Sequence, residues 1–176
     1  DIETESLGQD HPTVGFTLMT KGELHLEMMH VDMAIKDTRD AISILKKGLG
    51  DIHPEVGLAF MRLGDMYNYH LGKYGDNKDV ALSLYKEALT PLRQSFGSVS
   101  SPLGLAYNSI GILHSSRGDA KHAMSSFYAA LASFGVRSRA DISASKGEPQ
   151  SSRPDVFFSW INVAKLHMMM NEWQLA

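Results

Sequence analysis

A phrase of six residues, written twice, constrains this chain more than any other feature. LGQDHP occupies residues 7–12 and LGDIHP occupies residues 49–54, forty-two positions later. A blurred third copy, FGSVSSP, ends at Pro102. The intervening residues keep step. Gly22 lies ten residues after Pro12, Gly64 ten after Pro54 and Ala164 ten after Pro154, while Gly111 lies nine after Pro102. Four residues before each small anchor stands a large apolar one: Leu18, Phe60, Tyr107, Trp160. Three residues after it stands a ring: His25, Tyr67, His114, His167. Ala34, Ala123 and Ala176 follow Gly22, Gly111 and Ala164 by twelve, and Ala81 follows Gly64 by seventeen because five residues are inserted in HLGKYGDN. Self-similarity at this period means stacked supersecondary units, each too small to bury its own apolar face.

The spacings fix the type of unit. Large residues three, four and seven apart fill one stripe of a helix. Small residues on that stripe let a second helix approach closely, and a Cβ branch there would hold the axes apart. Each copy therefore divides into two helices. First helices are expected at about 13–28, 56–71, 102–117 and 154–170, and second helices at about 32–48, 79–96 and 120–135. The dividing turns HVD, LGKYGDN, RGD and NE carry turn formers or capping residues. In the joint, Leu-Gly ends one helix, Gly being a favoured C-terminal cap. Pro starts the next, where a missing N–H costs nothing. The His before it is expected either to cap or to pack. The expectation is one all-α domain. Residues 1–8 end an earlier helix, 11–52 form repeat 1, 53–100 repeat 2 and 101–135 repeat 3. Residues 136–153 form a Ser-rich, basic loop, and 154–176 supply the first helix and the start of the second helix of repeat 4.

Composition excludes several classes. Charged residues are 21% of the 176, with a net charge of −3, which is no footprint for nucleic acid or a membrane surface. No apolar run approaches the ~20 residues needed to cross a bilayer. With no cysteine there are no disulfides or thiolate metal sites. The eight histidines lack zinc-ligand spacings. His25, His114 and His167 read as packed rings in different repeats, and His11 and His53 as joint residues. No phosphate loop, nucleophile elbow or paired carboxylates appear. No metal, cofactor or catalytic residue is expected, and the chain reads as a non-enzyme. Serines of the 136–153 loop stand beside Arg139, Lys146 and Arg153, a setting that suits phosphorylation, although a tolerated insertion explains the loop as well.

The pattern large-x-x-apolar-small-x-x-ring, followed by Ala-x-x-x-aromatic-x-x-Ala, resembles the tetratricopeptide repeat (TPR). The forty-two-residue period, the LG-x-x-HP joint, HPEVGLAFMRLGDMY and YKEAL resemble more narrowly the repeats of kinesin light chains. Lys21 and Thr38 depart from the family, which places an apolar and an aromatic residue there. The resemblance implies a TPR-type α-solenoid of antiparallel helix pairs in a right-handed superhelix. It also implies a groove, lined by first helices, that grips an extended peptide. Carried onto this chain, the groove sites are Phe16, Met19, Thr20, Glu23 and Leu26; Leu58, Met61, Arg62, Asp65 and Asn68; Leu105, Asn108, Ser109, Ile112 and Ser115; and Phe158, Ile161, Asn162, Lys165 and Met168. Asn108 and Asn162 suit a peptide backbone. Arg62 and Lys165 suit a ligand carboxylate.

The expected partner is a protein or linear peptide with apolar anchors and mixed charge, in the manner of cargo or adaptor recognition. A motor or cytoskeletal partner and a cytoplasmic, cytoskeleton-associated location go with it, and neither nucleic acid nor membrane does. The alternative is a scaffold subunit that meets a cytoskeletal or chaperone-linked assembly through its convex face or ends.

Overall fold

The computed structural model describes residue 8 and residues 10–70, 75–136 and 154–174. All secondary structure among them is helical: α1 Pro12–Glu27, α2 Val31–Leu49, α3 Pro54–Asp65 with a π-helical continuation Met66–His70, α4 Gly75–Phe96, α5 Ser101–Ser116, α6 Ala120–Ser133 and α7 Pro154–Gln174. No described helix is long and apolar enough to cross a membrane. The chain forms two compact units, residues 1–95 and 96–176.

The repeated joint is a two-part helix punctuation. Its glycine is left-handed in both copies, with φ of 88° at Gly8 and 90° at Gly50. That region costs glycine no Cβ clash. Gly50 N–H closes the end of α2 by donating to the Lys46 carbonyl at 3.0 Å. The histidine is an N-cap: Nδ1 of His11 accepts from Thr13 N–H, and Nδ1 of His53 from Glu55 N–H, each at 3.3 Å. The open question of the joint is thus settled as capping, since each imidazole nitrogen takes up one of the orphan N–H groups of a first turn. In the third joint Ser100 stands at the N-cap and makes no side-chain cap bond.

Small anchors hold the hairpins together. A Cβ on Gly22 would lie 2.9 Å from Thr38 Oγ1, one on Gly64 2.7 Å from the Tyr85 ring, and one on Gly111 2.5 Å from the Phe127 ring. Thr38, in place of an aromatic, is fully buried and donates to Met66 Sδ at 3.7 Å. A second tier of glycines escaped the sequence reading. Gly15, Gly57 and Gly104 stand seven residues before the anchors, two turns along the same stripe. A Cβ on them would lie 2.9, 2.9 and 2.4 Å from the side chains of Leu45, Leu92 and Phe134. Lys21, the other departure, stays exposed and puts Nζ 3.1 Å from the carboxylate of buried Asp37.

Two expectations need correction. Ala164 is not a packed anchor; it is exposed, because no described helix follows α7 to lie on it. The tier position before it holds Phe157, also exposed. The buried face of α7 is instead Ser159, Val163 and Leu166, the last two packing with Ala123, Phe127 and Leu131 of α6. The dividing turn LGKYGDN, residues 71–77, is shorter than expected: Gly75–Asn77 belong to α4, and α3 runs on to His70 through the π segment, so the insertion lengthens helices. The remainder of that turn, residues 1–7, most of the 136–153 loop and Ala176 lie outside the described residues.

Candidate functional site

The expected groove positions come together in pairs, one set in each unit. In the first unit α1 and α3 contribute. Glu23, one residue after its anchor, forms an ion pair with Arg62, two residues before the next anchor. Phe16 and Thr20 are exposed, and Leu26, Leu58, Met61 and Asn68 are half-buried. Met19 departs from the expectation: only 8% exposed, it belongs to the core beneath that face. Asp65 accepts a 2.6 Å hydrogen bond from the Tyr85 hydroxyl. Burial holds its carboxyl above the ordinary carboxylate value, with the Tyr85 bond opposing. Burial first, and the Asp65 charge next, hold the Tyr85 phenol far above its ordinary range. Glu23, Arg62 and Asp65 are therefore all partnered within the protein.

In the second unit α5 and α7 contribute. Asn162 Nδ2 donates to Asn108 Oδ1 at 3.3 Å, and Ser159 Oγ donates to the same oxygen at 3.2 Å. This pairing occupies one polar edge of each amide that the sequence reading assigned to a peptide backbone. Next to it opens a pocket of about 270 Å³, lined by Ile112, Ser115, Ser116, Phe127, Asn162, Lys165, Leu166 and Met169. Ile112, Ser115, Asn162 and Lys165 are four expected groove positions on two different helices. Their convergence follows from the repeat: equivalent faces of successive first helices lie side by side. Ser109 and Ile161 are half-buried, and Leu105, Phe158 and Met168 are exposed. The floor is apolar, Phe127 and Leu166 being buried, and the Lys165 side chain is exposed at the edge. An apolar side chain fits such a pocket, with a carboxylate placed to meet the ammonium.

One polar cluster was missed. Across the turn of the third hairpin His122 Nδ1 lies 2.7 Å and His114 Nδ1 3.4 Å from Asp119 Oδ2. The sequence signal was available: Asp119 is the residue before α6, where a cap belongs, and His122 is one turn beyond it.

No family model matches the chain. It is 33% identical over 70 residues, 40% of its length, to Protein KINESIN LIGHT CHAIN-RELATED 2 of Arabidopsis thaliana, and the match covers 10% of that protein. Among solved structures it is similar to BtubC (BKLC) from P. vanneervenii, at 18% identity and a TM-score of 0.77, over 98% of this chain and 63% of that one. It is also similar to a protein of Podosopora anserina described as a kinesin light chain with nearly identical TPR-like repeats, at 14% identity and a TM-score of 0.69, over 98% and 74% of the two chains. The chain thus spans less than two thirds of BtubC and about a tenth of the plant protein. The fold is that of kinesin light chain-like TPR proteins, all-α and built of repeated helical hairpins.

Proposed function

We propose that this TPR chain, whose fold suggests a protein-interaction module and is typically non-catalytic, binds an extended peptide segment through the exposed faces of its first helices. The pocket between α5 and α7 carries the reading. Its apolar floor would take one ligand side chain. Lys165 would meet an acidic residue beside it, and Ser115 and Asn162 would meet the ligand backbone. In the first unit Glu23, Arg62 and Asp65 already have partners, so a ligand there must exchange bonds rather than find new ones. The ligand class is then an apolar-plus-acidic linear segment of a protein. Its source, by analogy with the kinesin light chain-related protein that this chain resembles, is a cargo adaptor or a cytoskeletal component, and a cytoplasmic location goes with that reading.

The scaffold alternative also has an observation in its favour. Phe157 and Phe158 of α7 pack edge to face with each other while more than half exposed, as an assembly contact would require.

Selection of linear peptides on the 176-residue chain separates the two readings. Enriched peptides should carry an apolar residue near an acidic one, and Lys165→Glu should weaken them about tenfold or more, the loss of a charge-assisted contact of 1.5–3 kcal/mol. Phe157→Ser, at a position outside the expected groove sites, should leave them unchanged. Peptides that bind both variants alike, or no enrichment with assembly lost in Phe157→Ser, would contradict the peptide reading.

A further inference from the structure

The turn of the third hairpin holds two imidazoles and a carboxylate in one place, for reasons the sequence makes plain. Gly118 takes φ of 74°, which lets the chain reverse directly after α5. Asp119 N–H then donates to the His114 carbonyl at 3.0 Å, tying the start of α6 to the end of α5. Asp119 caps α6, with Oδ1 accepting from His122 N–H at 3.2 Å. The cap leaves the carboxylate within reach of Nδ1 of both rings, and the rings stack with centroids 5.3 Å apart and planes at 27°. One ligand atom from each of the three residues lies within 4.8 Å of the other two. Among the described residues, this is the group of histidines and carboxylates whose ligand atoms converge in that way. The other hairpins do not repeat it: the positions equivalent to His114, Asp119 and His122 in the first are His25, His30 and Met33, with no carboxylate.

We propose that His114, Asp119 and His122 form a three-ligand site for a borderline divalent cation, with Zn²⁺ as the reference ion. Two imidazoles and one carboxylate are a donor set that zinc accepts, leaving a fourth position for water or an outside ligand. With bonds of about 2.0–2.1 Å, neighbouring ligands around a tetrahedral ion stand about 3.3 Å apart. The His114 Nδ1 to Asp119 Oδ2 separation is already 3.4 Å. The His122 contact, 2.7 Å, must open, and its side chain is 66% exposed and at liberty to turn. His114 and Asp119 are set by the packed hairpin and its cap, so two ligands are pre-placed and the third swings in. The metal would brace the α5–α6 turn, and its fourth position makes a protein-supplied ligand the natural addition.

Calorimetric titration of Zn²⁺ into the full chain tests this, with Co²⁺ and its visible absorption as a second probe of geometry. Wild type should bind one equivalent with a tetrahedral Co²⁺ spectrum. His122→Ala, at an exposed position, and Asp119→Asn, which keeps a helix cap, should each weaken Zn²⁺ at least tenfold and abolish that spectrum. Removal of an outer-shell partner alone costs 10–100-fold. His30→Ala should bind like wild type. Circular dichroism of both variants confirms that the fold is kept. Absence of binding, or binding that both variants share with wild type, overturns the proposal, because it would then reside in scattered surface histidines.

Discussion

The two units use the same repeat positions for opposite ends. On the face of α1 and α3, charges meet charges: Glu23 holds Arg62, and Tyr85 holds Asp65. On the face of α5 and α7, two amides hold each other, and beside them a pocket of about 270 Å³ stays open. The repeat decides where a side chain stands, and the chemistry of that side chain decides whether the position is spent on the protein or left for a partner. The same contrast runs through the cores. Hairpin three closes around Phe127, hairpin two around Tyr85 and hairpin one around Thr38, all at one repeat site and all fully buried or nearly so.

The largest expected difference tests that contrast in the core. Phe127→Ala empties a ring-sized space against Gly111 and should cost about 3–5 kcal/mol in urea unfolding. Thr38→Ala, the same site in the first hairpin, removes far less volume and should cost about 1 kcal/mol. Equal losses would mean that the repeat sites are not equivalent. The joints come next. His53→Ala removes a cap bond and should cost about 1 kcal/mol, whereas Ser100→Ala removes none and should cost less. Thermal unfolding of the two variants distinguishes them. The smallest effect is electrostatic. Asp65 titrates above its ordinary value when folded, so between the two values the native chain holds more protons than the unfolded one. Stability then falls as pH rises through that window, and the ionised carboxylate costs stability at neutral pH. Asp65→Asn still accepts the Tyr85 hydroxyl. It should be at least as stable as wild type at pH 7 and lose that advantage in acid, as read by urea midpoints across pH.

Much of the hairpin fold was legible because small and large residues recur at helical intervals over most of the chain. Gly22, Gly64 and Gly111 could be placed against Thr38, Tyr85 and Phe127 by counting alone. The second glycine tier was equally countable and went unread, since a glycine near a helix start looks like a breaker before its neighbour is known. Ala164 misled because counting cannot tell whether a helix follows to cover it. The site was harder to read. Register placed Glu23, Arg62, Asn108 and Asn162 on facing helices, but whether they would bond each other depends on interhelical distances of a few ångströms. His114 was read as a core ring because its repeat equivalents are rings; its partners come from the one turn in which an aspartate caps the helix and a histidine follows.

Chemical-shift mapping of a selected apolar-acidic peptide on the labelled chain tests the central claim most directly. The account predicts that the backbone signals of Ile112, Ser115, Asn162 and Lys165 move together and saturate with one affinity, while those of Glu23 and Arg62 move less. Shifts confined to Phe157 and its neighbours, or to the outward faces of α2, α4 and α6, would contradict it.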